Sequence, residues 1–203
     1  MRVLLILMLA ASCSKPADDK KAAPVVAAKP KDFKACDLAS AAEVGKIFGK
    51  AIVATGADAS ICSFNLDPAD RQKSIDALTS GKAKSLDQVH VMIVVAHDDE
   101  TEDQIKSAND QFTKAAVAAT VPAGTNAQIK HVITEVPGVA DWAFTTDQSV
   151  TISGIAVGGR VFDARVGALR VTITTTVSPD PGAKQLDAEL MTLARSVVAK
   201  LKS

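Results

Sequence analysis

Residues 89 to 96 read Val-His-Val-Met-Ile-Val-Val-Ala. Successive side chains of an extended chain face opposite ways. Val89, Val91, Ile93 and Val95 therefore share one face, and Met92 and Val94 share the other. A strand that is apolar on both faces belongs near the centre of a sheet. The rest of the chain has to supply that strand with neighbours and a cover.

The neighbours are legible as short β-rich runs. Ile52-Val53 and Ile61–Leu66 precede the central strand. Ile129–Glu135, Trp142–Phe144, Ser149–Ala156, Arg160–Val166 and Leu169–Val177 follow it. Gly56-Ala57-Asp58, Val136-Pro137-Gly138, Gly158-Gly159 and Gly167-Ala168 are the expected turns between them. The cover comes from helical patterns. Ser40-Ala-Ala-Glu43 is a capping box, followed by Val44, Ile47 and Phe48 on one face and Gly49 as the left-handed stop. Asp99-Glu-Thr-Glu102 is expected to cap a helix whose stripe is Ile105, Ala108, Phe112, Ala115 and Ala119. Asp180-Pro181 is expected to open the last helix, with Leu186, Leu190, Leu193, Val197 and Leu201 inward. Between Asp67 and Gln88 only a short helical turn, Ser74–Leu78, is expected. The predicted order is α-β-β-β-α-β-β-β-β-α. Meandering strands with a few helices predict an α+β fold: an antiparallel sheet with helices packed on one face.

The front of the chain concerns location. Met1-Arg2 is followed by an uncharged run from Val3 to Ala11 and by Ser12-Cys13. A cation, a short apolar run and small residues form a secretory leader. Nine helical residues span about 14 Å, under half of a ~30 Å hydrocarbon core, so this run does not cross a bilayer. Leu9-Ala10-Ala11-Ser12-Cys13 resembles the bacterial lipobox, with Ala10 where that motif prefers leucine. The resemblance implies cleavage after residue 12 and lipidation of Cys13. The alternative is an ordinary secretory leader with a stray cysteine. Several acyl chains, each contributing ~0.8 kcal/mol per buried methylene, are needed for a lasting anchor. The expected partner is thus a membrane, reached through lipid on Cys13. The expected location is the cell envelope, at the outer membrane or periplasmic face rather than in the cytoplasm. Ser14–Lys34 is rich in Ala, Lys, Pro and Asp and reads as a tether. The expected organisation is a leader at 1–12, lipidated cysteine and tether at 13–34, and a single α+β domain at 35–203.

Cys36 and Cys62 are the cysteines left once Cys13 is acylated. In an oxidising compartment two such cysteines are expected to pair as a disulfide, worth about 3.5 kcal/mol in the chain-entropy description. A metal pair and a reactive thiol are the competing readings; their spacing fits no zinc pattern.

Composition narrows the rest. Formal net charge is zero, Tyr is absent and Trp occurs once, so neither electrostatics nor base stacking points to nucleic acid. With only six Phe, the core has to be built from Val, Ile, Leu and Ala.

Cys36-Asp37-Leu38, Glu43-Val44, Gly49, Cys62-Ser63-Phe64 and Gly138-Val-Ala-Asp-Trp-Ala-Phe144 together resemble a group of uncharacterised bacterial envelope lipoproteins. That group pairs the two cysteines and carries a Gly-x-Gly-Asp-x-Ala motif before its last hairpin. Ala140 stands here where the second glycine is usual. The resemblance spans roughly residues 36 to 200. It implies an envelope location, the disulfide and an antiparallel sheet with helices, and it implies no mechanism.

Catalytic motifs are sparse. His97-Asp98-Asp99-Glu100 is the densest set of candidate metal ligands, but neighbouring side chains at a strand end diverge. His90 and His131 are lone histidines in strands. Gly154–Arg160 lacks the lysine and hydroxyl of a phosphate loop, and no nucleophile elbow, zinc helix or calcium loop is present. No cofactor is expected. One surface pattern stands out. Thr172, Thr174 and Thr176 alternate with Val171, Ile173 and Val177, and Thr151 and Ser153 alternate nearby. They predict a hydroxyl-rich outer face beside Asp163, Arg165 and Arg170, suited to an envelope protein or glycan partner. The leading expectation is a tethered, non-enzymatic binding or scaffold domain. The alternatives are a carrier of an apolar small molecule and an enzyme using His97 and nearby carboxylates.

Overall fold

A computed structural model of the chain describes residues 34–97, 99–120, 127–148, 150–152 and 155–203. Cys13 and the tether as far as residue 33 lie outside the described residues, as do Asp98 and Ser153. The strands are β1 (Ile52–Ala57), β2 (Ile61–Leu66), β3 (Gln88–His97), β4 (Ala127–Ile129), β5 (Val132–Glu135), β6 (Trp142–Asp147), β7 (Val150–Ile152), β8 (Ile155–Val166) and β9 (Leu169–Ser178). The helices are α1 (Ala41–Phe48), α2 (Pro68–Thr79), α3 (Glu102–Thr120) and α4 (Ala183–Lys202). The fold is α+β. Its sheet is antiparallel and runs β1-β2-β3-β9-β8-β6-β5, with β7 added to β8 and β4 to β7. The apolar run of β3 sits inside the sheet, between β2 and β9.

The inner face carries Cys62, Phe64, Val89, Val91, Ile93, Phe162, Ala164, Val171 and Ile173, all buried. α4 covers it with Leu186, Leu190, Leu193, Val197 and Leu201. Burying each such side chain is worth about 1.5–3 kcal/mol relative to leaving it in water. α1 adds Val44 and Phe48, with Ile47 half-buried. Its capping box is present: Glu43 N–H donates to Ser40 Oγ at 3.1 Å, and Ser40 N–H donates to Glu43 Oε2 at 3.3 Å. Gly49 ends it at φ 62°, a conformation that costs glycine little. Cys36, in a 3-10 turn at Ala35–Asp37, is disulfide-bonded to Cys62.

Several details depart from the expected order. Only α1 and α4 meet the inner face. α3 lies against the opposite, outer face, where Ile105 is buried and Asn109 reaches Asp163. The reason is parity: Asp163 stands on the opposite side of β8 from Phe162. Ala108, assigned to the buried stripe, is exposed. The α3 cap is also shifted. Thr101 and Gln104 exchange hydrogen bonds at 2.7 and 3.4 Å, in place of Asp99 and Glu102.

α2 is a full helix of 12 residues, not a short turn. Asp67 caps it and Pro68 opens it, yet it buries no residue, so no apolar stripe announced it. At the other Asp-Pro pair the helix starts later, at Ala183; Asp180 instead accepts from Gly182 N–H at 2.8 Å. The single strand expected at Ile129–Glu135 is two, β4 and β5. The turn expected at Gly158-Gly159 is strand interior. There β8 passes from β7 to β6, and a Cβ on Gly159 would sit 3.1 Å from the Gln148 carbonyl oxygen. The glycine serves a close backbone approach, not a reversal.

Candidate functional site

The outer face is organised in cross-strand rows. Ile61, Val94, Thr172 and Asp163 form one row. Ser63, Met92, Thr174 and Val161 form the next, and Asn65, His90 and Thr176 a third. On β2, β3 and β9 these residues are half-buried, and Ile61 is 36% exposed. None of those nine carries a permanent charge. The described side-chain contacts of α3 lie to one side of them: Lys106 meets Glu135 of β5 and Phe144 of β6, and Asn109 meets Asp163 of β8. The result is a flat surface alternating methyl, thioether, hydroxyl and amide groups.

Its polar groups are oriented. The His90 Nδ1–Asn65 Oδ1 distance is 2.9 Å, and the Asn65 Nδ2 group donates to Thr55 Oγ1. An amide oxygen only accepts, so His90 donates from Nδ1. This buttress explains a histidine in the middle of a sheet without invoking a metal.

At the lip where α3 meets the sheet lies a buried polar seat. Asp163 is 1% exposed. It accepts from Thr172 Oγ1 at 2.6 Å and from Asn109 Nδ2 at 2.9 Å, with Arg170 Nε at 3.7 Å. Arg170 also pairs with Glu100 at 3.0 Å. Burial pushes the Asp163 carboxyl above the usual carboxylate range, against the pull of Thr172, Asn109 and Arg170. The sequence placed Asp163 on a solvated face beside the threonines; the parity was right, but α3 encloses it. Arg165 donates to the Gly167 carbonyl of its own turn at 3.0 Å.

The other sequence candidates separate. Cys36 and Cys62 are joined. His97 ends β3 and is exposed, Asp99 is exposed, and Asp98 is outside the described residues. Among the described residues no three His, Cys, Asp or Glu side chains converge as metal ligands. Gly138, at φ 78°, turns the chain from β5 toward β6. Three residues on, Asp141 accepts from Gly167 N–H at 2.7 Å, tying two turns together, which gives the Gly138–Phe144 motif a structural role.

Sequence reasoning missed Arg160, which is 1% exposed. It donates to Asp147 at 2.6 Å and to Asp187 of α4 at 2.7 Å. The signal was available: Arg160 shares the inward parity of Phe162 and Ala164, so it had to be buried and paired.

No described helix is long and apolar enough to cross a membrane. The chain matches no protein-family model and no curated protein.

Proposed function

We propose that this chain is a lipid-anchored bacterial envelope protein whose domain binds a partner rather than catalysing a reaction. Its contact surface is the outer face of β2, β3 and β9. The observation that carries the reading is the chemistry of that face: nine side chains without a permanent charge, six of them with hydrogen-bonding groups, aligned in rows across three neighbouring strands. Such a mixture suits a neutral envelope protein or glycan surface better than a charged ligand. The leader, the lipobox-like Cys13 and the tether support the address, and the Cys36–Cys62 bond accords with an oxidising compartment.

The carrier reading draws less support. The cleft between Phe48, Leu66, Val89, Val177 and Pro179 holds about 220 Å³, below the ~300–1,000 Å³ of small-molecule sites, and a larger one of about 350 Å³ is lined by Lys50, Asp70, Lys73 and Asp87, which do not suit an apolar cargo.

The test is capture from detergent-solubilised envelope with the native protein and with Met92→Lys and Thr174→Lys. Circular dichroism verifies that each variant folds. The native protein is expected to retain a partner or glycan that both lysine variants lose. Equal capture by all three, or none by the native protein, contradicts the proposed surface.

A further inference from the structure

We propose that α3 is a pH-responsive flap: residues 102–111 lift from the outer face and join the strip beneath them, on β8 and β6, to the open strands β9, β3 and β2.

The seat of this helix is unusually polar. One carboxyl is enclosed beneath the helix, and two polar atoms nearby are buried without a partner. Asp163 is a carboxyl enclosed between β8, β9 and α3. His131 Nε2 and Thr146 Oγ1 are buried without a hydrogen-bond partner. Leaving such groups unsatisfied costs about 1–3 kcal/mol each, a cost that water relieves when the helix lifts. The inner face under α4 also buries a charge, Arg160, but pairs it directly with Asp147 and with Asp187 of α4 itself. The sequences of the two helices differ in the same sense. α3 has three large apolar residues, Ile105, Phe112 and Val117; α4 has seven, from Leu186 to Leu201.

Described contacts holding the first half of α3 are mainly polar and peripheral. Lys106 pairs with Glu135 of β5 at 3.1 Å and lies 5.5 Å from the Phe144 ring centre. Asp110 faces His131 at 3.5 Å. Asn109 reaches Asp163. Ile105 is the buried apolar anchor.

The charged and titratable groups around Asp163 fix the sign. α3 presents Lys106 and Asp110, β9 presents Arg170, the segment before α3 presents Glu100, β5 presents Glu135, and the link before β5 presents His131. Of these, Arg170 approaches the carboxyl, at 3.7 Å. Enclosure favours the protonated carboxyl and an open helix favours the hydrated carboxylate. The closed state therefore holds the proton more tightly. Opening is rarest in acid and rises with pH until the enclosed carboxyl has ionised, about tenfold for each unit separating its closed and open pKa. An open flap adds Val161, Thr146 and Phe144 to the rows that already carry Thr174, Met92 and Thr172.

Hydrogen exchange of the full native chain, corrected for intrinsic rates, tests this in mildly acidic and neutral buffer. Amides of residues 105–111 are expected to exchange through local opening at least about tenfold faster than those of α4, and faster at neutral pH than in acid. Acrylamide quenching of Trp142, stacked 5.8 Å from Phe144, is expected to rise over the same range. Asp163→Asn, which keeps the shape and removes the ionisation, is expected to abolish both pH dependences. Equal protection of α3 and α4, or a pH dependence that survives Asp163→Asn, overturns the proposal.

Discussion

Glu43 and Asp163 are two carboxyls with opposite consequences. Glu43 completes the α1 capping box and also meets Lys200 of α4 at 3.0 Å and Ser196 at 3.1 Å. The Lys200 hydrogen bond is the chief reason its carboxyl is held below the usual range. The stability it contributes is present above the ordinary glutamate range and is lost as pH falls through its lowered folded value. Its side chain is 40% exposed, so solvent screens the ion pair and capping dominates. Glu43→Ala is expected to cost about 1 kcal/mol at neutral pH, with the difference shrinking in strong acid, as urea unfolding at the two pH values will show. For Asp163 the sign reverses. A raised folded pKa favours the fold below the ordinary aspartate range, and that contribution is lost as pH rises through the raised value. Asp163→Asn is therefore expected to raise neutral-pH stability and to change little in acid; a loss of stability at neutral pH contradicts this assignment.

Elements were legible in the sequence where they bury an apolar stripe. α4 and β2 were, because Leu186, Leu190, Leu193, Val197 and Leu201, and Cys62, Phe64 and Leu66, follow the helical and strand periods. α2 was not, because it buries nothing; its only signal was Asp67-Pro68, and an identical dipeptide at Asp180-Pro181 does not start α4. Gly158-Gly159 misled for a related reason. Glycine marks both reversals and close approaches, and only the partner at Gln148 distinguishes them. These differences predict unequal costs. Leu190→Ala is expected to destabilise by about 2–5 kcal/mol in denaturant unfolding. Asp67→Ala is expected to fray α2 by about 1 kcal/mol, visible as faster exchange of its amides, with little shift in global unfolding.

At the scale of the molecule, the candidate site was half legible. The alternation of Thr172, Thr174 and Thr176 placed them on one face, but long-range pairing decides that Met92, His90 and Ser63 stand beside them. Nor did periodicity reveal that α3 would close over Asp163. The disulfide closes a separation of 26 residues and ties the start of the domain to β2. A Cys36→Ala, Cys62→Ala pair is expected to lose about 3.5 kcal/mol, read as a fall in the urea midpoint. The proposed lipid anchor is the premise that would set the proposed contact face at a membrane. Intact-mass spectrometry of the native protein from its envelope fraction tests it most directly. A chain beginning at Cys13, carrying acyl mass and two hydrogens lighter than the dithiol, is the expected result. An unacylated chain, whether retaining the leader or cleaved elsewhere, with both thiols free to alkylate, contradicts the account.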